Sequence, residues 1–192
     1  MATNLSSNAV SPPWWPEVWI VAGGPSARRF DLGRLNGKRV ICVNESIFSL
    51  LGTTPADAPA VFSLDHRWVL CRRDFLASHR GERFVAVPLE TWPDCGGIPS
   101  VTYLRRSTED GVSDDPGVIF GHESGRGAIN LAHLKRAREI HLVGYDMDPA
   151  ENEKWAWWLP RYERVAADLR ARGVRVINHN LASHVSVFEK AA

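Results

Sequence analysis

Val18-Trp19-Ile20-Val21-Ala22-Gly23-Gly24-Pro25-Ser26 reads as a buried strand that ends in a tight turn and feeds a helix. Four β-favouring residues run into two glycines, which free the backbone and leave no Cβ in the way of a ligand. Pro25 is pre-set for a first helical turn and Ser26 is a residue type that caps one. Such a corner gathers N–H groups at the positive end of a helix, a place suited to phosphate or carboxylate, although a plain strand–turn–helix corner has the same look. No Gly-Lys-Ser/Thr follows, so the turn is not a Walker loop, and the third glycine of a dinucleotide fingerprint is missing.

Outward from this corner, apolar runs alternate with helical spacing. Strands are expected at Arg39 to Val43, Ala60 to Leu64, Arg83 to Val87, Val101 to Leu104, Glu139 to Val143 and Val174 to Ile177. Helices are expected over Ala27 to Leu35, Glu45 to Leu51, His66 to His79, Ser124 to Arg136, Trp155 to Arg172 and Ser183 to Phe188. The alternation implies an α/β fold: a Rossmann-like three-layer sandwich, with a mostly parallel sheet and helices on both faces. Residues 1–16 read as a mobile tail held down by Trp14 and Trp15, and 17–192 as one nucleotide-binding α/β domain. Its segment 88–121, with four prolines and five glycines, reads as irregular and lid-like.

The 192 residues suffice for one core, and 44% apolar with 23% charged residues is ordinary globular composition. A net charge of +1 gives no support to bulk binding of nucleic acid or of an anionic membrane, and no apolar run approaches a membrane span. Three cysteines without CxxC spacing suit free thiols in a reducing compartment, so a cytoplasmic setting is the default expectation. A homo-oligomer stays open.

In a parallel sheet the ligand lies beyond the carboxyl ends of the strands. Polar residues gather there: Gly23 to Ser26 after strand one, Asn44 after strand two, Asp65 after strand three, and Gly144 with Asp146 after the strand from Glu139. Asn44 suits a base or ribose, or an Asx turn. Asp65 and Asp146 suit a metal, a ribose hydroxyl or a proton transfer, or a helix cap. Ser124 and Gly125 open a second helix, and Arg126 beside them can pair with phosphate. Among histidines, His66 and His122 sit beside site residues and are the acid/base candidates, His179 and His184 can reach the rim, His141 reads as sheet core and His133 as surface. Trp155 and Trp158 fall on the buried stripe of the last long helix, which leaves Trp157 as the tryptophan to test for stacking. The variant Gly24→Val is expected to remove ligand binding and leave the fold.

The ordered set of Gly23-Gly24-Pro25-Ser26, Val43-Asn44, Ser124-Gly125 and Ile140-His141-Leu142-Val143-Gly144-Tyr145-Asp146-Met147 resembles the bacterial CMP-sialic-acid-dependent sialyltransferases. It equally resembles their relatives, the motility accessory factor glycosyltransferases and the archaeal 6-hydroxymethylpterin diphosphokinase-like proteins, whose short members are often phage-encoded. The resemblance spans roughly Val18 to Phe188 and implies that Gly23, Gly24, Pro25, Ser26, Asn44, Ser124 and Gly125 cradle a nucleotide. It implies a nucleotide-dependent transferase, glycosyltransferase-like, using a nucleotide sugar, with Asp65, His66 or Asp146 in catalytic roles. The alternatives are a pyrophosphokinase-like enzyme with magnesium and ATP held by Asp65 and Asp146, and a nucleotide-binding protein without turnover. Two departures stand out. The loop reads Ala-Gly-Gly-Pro-Ser where the sialyltransferases have Gly-Asn-Gly-Pro-Ser, and Glu151 to Pro160 lacks the histidine that serves them as base. Tyr162 is matched only loosely to a phosphate-holding tyrosine.

Overall fold

The computed structural model describes residues 15–50, 58–88, 91 and 96–191. Nine strands form one sheet: β1 (Glu17–Val21), β2 (Val40–Val43), β3 (Ala60–Ser63), β4 (Arg83–Val87), β5 (Thr102–Ser107), β6 (Val118–Phe120), β7 (Glu139–Val143), β8 (Arg175–Asn178) and β9 (Glu189–Lys190). Their order is β6-β5-β4-β3-β2-β1-β7-β8-β9, and every neighbouring pair is parallel. The chain starts in the middle, winds outward to β6, then crosses back to β7 on the other flank of β1. The winding therefore reverses between β1 and β7, and such a switch point opens a crevice at the carboxyl ends of those two strands.

Alternation along β1 sends Val18 and Ile20 to one face and Trp19 and Val21 to the other, all buried. The first face packs on α4 (Ser124–Leu134) and α6 (Arg161–Ala171) through residues such as Ala128, Ile129, Tyr162 and Val165. The second packs on a 3₁₀ turn, Leu32–Leu35, and on the short helices α1 (Ser46–Leu50), α2 (His66–Cys71) and α3 (Arg73–Ser78) through Leu35, Ile47, Trp68 and Leu76. Each fully buried large aliphatic or aromatic side chain contributes roughly 1.5–3 kcal/mol relative to exposure. α4 is the element that brings the chain back from the β6 edge, and it packs under β3, β2 and β1. Its buried Asn130 accepts the N–H groups of Ser113 (3.1 Å) and Phe120 (2.8 Å) and donates to the Ser113 carbonyl (3.1 Å), tying the sheet edge to the helix.

The expected elements are present with local corrections. Ala27 to Leu35 is no α-helix but two 3₁₀ turns, Pro25–Arg29 and Leu32–Leu35, separated where Asp31 caps the second. His66 to His79 splits at Arg72, whose backbone leaves helical geometry. The helix expected over Trp155 to Arg172 is two, α5 (Glu153–Trp158) and α6, because Pro160 has no N–H to give and its ring crowds the carbonyl four residues back. Segment 88–121 contains two strands, β5 and β6, where one short strand was expected. In β5 only Leu104 is fully buried and Arg105 and Arg106 break the apolar run, so the edge carries little strand signal. Ser183 to Phe188 forms no helix: Ser183 Oγ is bonded to the Tyr145 carbonyl and accepts from Asn178 Nδ2, and the chain runs on into β9. Trp15 is buried and its backbone N–H donates to the Lys135 carbonyl at 3.1 Å, while residues 1–14 of the tail, Trp14 included, lie outside the described residues, as do Leu51 and Cys95.

The two strand ends at the switch point are fastened to each other. Gly24 N–H donates to the Gly144 carbonyl at 3.1 Å. Asp146 accepts from Ser26 N–H (3.1 and 3.2 Å), Ser26 Oγ (2.7 Å) and Asn180 Nδ2 (2.9 Å). Gly144 holds φ 76°, and a Cβ on Gly24 would run into the Asp146 carboxylate and the Gly144 carbonyl. Gly24 is thus required for this crossing, and Gly24→Val damages the fold itself. Asp146→Ala is expected to lose roughly 2–4 kcal/mol of stability, because three hydrogen bonds to a charged acceptor go and a buried N–H is orphaned. Gly24→Ala is expected to lose roughly 1–3 kcal/mol by overpacking. Urea unfolding measures both, and losses below about 1 kcal/mol would mean that the crossing is not held this way.

Candidate functional site

A cleft of about 650 Å³ opens at the switch point. Ala22 to Pro25 and Gly144 form one bank, and Asn44, Leu64, Asp65 and His66 form a second. Arg106 and His122 to Gly125 form the third, and Met147, Glu151, Trp155, Trp158 and Tyr162 close it. Most of the residues expected at the site therefore meet: Gly23, Gly24, Pro25, Asn44, Asp65, His66, Ser124, Gly125 and Gly144 all border one space. Ser26, Arg126 and Asp146 do not line it.

Several of the N–H groups expected to bind an anion are taken by the protein itself, that of Gly24 by the Gly144 carbonyl and others by carboxylates. Pro25 has none, and Ser26 N–H points to Asp146 as described. At α4 the capping residue is Glu123. Its carboxylate accepts from Arg126 N–H at 2.7 Å, from Gly125 N–H through a very short bond, and from Tyr162 Oη at 2.8 Å. Burial pushes the Glu123 pKa above the ordinary carboxylate value even though these donors and the Arg126 charge pull the other way. Tyr145 donates to the Gly125 carbonyl at 2.9 Å. Burial and then the Glu123 charge hold the pKa values of Tyr145 and Tyr162 well above that of free tyrosine. Beneath the cleft, then, lies a rigid polar floor of Glu123, Tyr145 and Tyr162. Glu123 was not singled out in the sequence, because glutamate is not among the residue types preferred at a helix N-cap.

Ser124 is differently placed. Its Oγ accepts from Leu64 N–H at 3.0 Å and from Asn44 Nδ2 at 3.4 Å. A hydroxyl has two lone pairs and one proton, so with both lone pairs engaged Ser124 has only its O–H left to donate. Asn44 itself sits at φ 51°, in the left-handed region that asparagine tolerates, and its N–H donates to the Phe62 carbonyl at 3.1 Å. Its Oδ1 is buried with no hydrogen-bond partner.

The charged groups divide into fixed and available. Asp65 caps α2, accepting from Arg67 N–H (2.9 Å) and Trp68 N–H (3.2 Å). Of the two carboxylates proposed for magnesium, Asp65 caps α2 through Oδ1 and lines the cleft, whereas both oxygens of Asp146 are engaged at the strand crossing, outside the cleft wall. Arg106, unremarked in the sequence because it lies in the edge strand β5, donates through Nε to the Gly121 carbonyl (3.1 Å) and through Nη2 to the His122 carbonyl (2.9 Å). Burial lowers its pKa, and the nearby carboxylates Glu123 and Asp65 oppose that. His122 is lowered first by burial and then by the neighbouring Arg126 and Arg161, so its imidazole is neutral at pH 7.

Trp155 and Trp158 pack against the core that holds Tyr162, Val165 and Leu169, as their spacing implies. Both are half-buried and also line the cleft, whereas Trp157 is exposed and lies edge-on to His122 at 5.1 Å. His141 and His179 lie away from the cleft, joined Nδ1 to Nε2 at 2.9 Å and stacked on Trp19. His184 approaches Asp148 (3.6 Å) and His133 meets Asp114 (2.7 Å). Among the described residues no helix is long and apolar enough to cross a membrane.

No family model matches the chain, and no curated protein matches it. Its fold is similar to that of the sialyltransferase CstII from Campylobacter jejuni in two solved structures. The complex with the substrate analogue CMP-3FNeuAc aligns with a TM-score of 0.53 and 16% identity over 92% of this chain and 85% of that one. The complex with cytidine-5'-monophosphate aligns with a TM-score of 0.50 and 16% identity over 91% and 84%. At this identity the likeness is one of fold: a sialyltransferase-like α/β architecture.

Proposed function

We propose that the protein is a glycosyltransferase that takes its sugar from a nucleotide donor bound in the switch-point cleft. The observation that carries this reading is the Asn44–Ser124 bridge at the switch-point cleft, which leaves one hydroxyl proton and one buried amide oxygen unspent, in a fold similar to that of a sialyltransferase solved with cytidine-5'-monophosphate. The half-buried indoles of Trp155 and Trp158 offer apolar faces for a base or a sugar ring. Arg106, whose Nε and Nη2 are tied to the backbone, presents its charge to the leaving phosphate. In the reaction an acceptor hydroxyl oxygen bonds to the anomeric carbon as the bond from that carbon to the phosphate oxygen breaks. The nucleotide departs with the electron pair, and the hydroxyl proton passes to a base.

We assign that base to His122. It borders the cleft two residues before Ser124, its backbone is held by Arg106, and its surroundings keep it neutral. Asp65, a base suggested by the sequence along with His66, is engaged as a helix cap. The pyrophosphokinase alternative needs two carboxylates for magnesium, and Asp146 is engaged at the strand crossing outside the cleft.

A thermal-shift series with CMP, a CMP-linked sugar, UDP, GDP and ATP, each with and without magnesium, tests the donor. A cytidine nucleotide is expected to raise the melting temperature, the equivalent of about 2.7 kcal/mol at a hundredfold excess over Kd. Stabilisation by ATP with magnesium alone would replace this reading with the pyrophosphokinase one. Asn44→Gly keeps the left-handed backbone and removes the amide, so it is expected to fold and to bind the donor roughly tenfold more weakly.

For the base, kcat/KM is expected to rise with pH along a limb centred below 6.5, because the lowered His122 pKa makes the imidazole deprotonated and competent above it. His122→Gln is expected to lose about 100-fold or more in kcat, to lose that limb, and to leave donor affinity unchanged. An unchanged pH profile in the variant would assign the base elsewhere.

A further inference from the structure

Behind the His122 bank lies a cationic corner that the donor does not use. Arg126, the third residue of α4, is 1% exposed, and its side chain makes one hydrogen bond among the described residues, from Nη1 to Asp110 Oδ1 at 3.0 Å. Its Nε and Nη2 are buried without a partner. Arg161, at the start of α6, brings Nη1 to 3.7 Å from the other oxygen of Asp110, and its own Nε is also buried without a partner. Its guanidinium lies 3.8 Å from the ring centre of Trp157, whose side is 54% exposed, and the edge contact of Trp157 with His122 links the corner to the proposed base.

Asp110 is one carboxylate, 43% exposed, between two guanidinium groups that retain unsatisfied donors. An unsatisfied buried donor is costly, and planar guanidinium groups pair best with a carboxylate approached in a bidentate manner. An exposed indole beside a cluster of hydrogen-bond donors is also the chemistry that receives the apolar face of a sugar ring. We infer that this corner is the acceptor subsite and that it takes a sugar bearing a carboxylate, a uronic-acid-type residue, whose carboxylate takes over the place of Asp110 between Arg126 and Arg161 while its ring lies on Trp157. The term acceptor rests on the transferase reading; carboxylate-sugar binding at the corner does not.

The test titrates glucuronate, glucose and acetate, at matched ionic strength, into the wild-type protein and Asp110→Ala, following melting temperature and binding heat. Glucuronate is expected to stabilise Asp110→Ala and to bind it roughly tenfold more tightly than it binds the wild type, since the competing carboxylate is gone. Acetate is expected to bind more weakly and glucose not at all. Trp157→Ala is expected to bring glucuronate down to the level of acetate. Equal responses to acetate and glucuronate, or none to either, would overturn the proposal. Should Asp110→Ala fail to fold, Arg161→Met decides: wild-type glucuronate binding that persists unchanged in it overturns the proposal, and its loss supports it. CMP titrated in parallel separates the two readings. Glucuronate binding without CMP binding sinks the transferase and leaves the carboxylate site standing, whereas CMP binding without glucuronate binding sinks the site alone.

Discussion

The carboxylate of Asp146 is the constraint on which the rest of the molecule depends. It joins the loop after β1 to the loop after β7, the two strands between which the sheet reverses its winding. Parallel strands by themselves fix only their hydrogen-bonded ladder. What lies beyond their ends is fixed by side chains, and here a single charged group holds a serine N–H, a serine hydroxyl and Asn180, the residue that follows β8 by two positions. Three strand ends are thereby set in one frame. Gly24 is forced by the same contact, since the carboxylate occupies the volume a Cβ would need.

A consequence follows for how the cleft recognises a ligand. Helix N-termini and glycine turns are usual anion sites because their N–H groups are unsatisfied. In this chain Asp146 takes the Ser26 N–H and Glu123 takes those of Gly125 and Arg126, so under the proposed reading a share of the recognition falls to side chains: the Ser124 hydroxyl, the Asn44 amide, Arg106 and the indoles. Glu123 also explains why two tyrosines stand beneath the cleft. A buried carboxylate is tolerable only when hydrogen-bonded, and Tyr162 supplies the third donor that two backbone N–H groups leave lacking. Tyr145 then carries the arrangement across to the β7 end through the Gly125 carbonyl.

Much of this was legible in the sequence. Strand–helix alternation yields a parallel sheet, and residues after strand ends then fall together without further information, which is why Asn44, Ser124 and the glycine turn meet. The roles of the acids were not legible. A free carboxylate at a strand end and one that holds a loop have the same sequence, and only the position of the opposing N–H groups separates them, as Asp65 and Asp146 both show. Arg106 escaped for a related reason: edge strands mix charge with apolar residues, so β5 has no clean period and its arginine has no assigned direction. Pro160 was visible but was passed over in favour of a continuous apolar stripe, so the break between α5 and α6 was missed, as was the part that Trp155 and Trp158 take in the cleft wall.

That break gives one short helix two tasks. Successive residues of a helix point about 100° apart, so Trp155 and Trp158, three positions apart, share a face, whereas Trp157 points well away from it. In an uninterrupted helix Trp155 and Trp158 would continue the buried stripe of Tyr162, Val165 and Leu169. Because the helical hydrogen bonding is interrupted at Leu159 and Pro160, α5 is a separate short helix and none of its residues is fully buried. The shared face then becomes a wall of the cleft and Trp157 is left beside Arg161. Had α5 packed flat on the sheet, the same three indoles would be core and surface, and neither the cleft nor the cationic corner would have an aromatic side. The geometry of both sites therefore traces to one missing N–H, that of Pro160, acting on a helix whose tryptophans were already spaced to serve two directions.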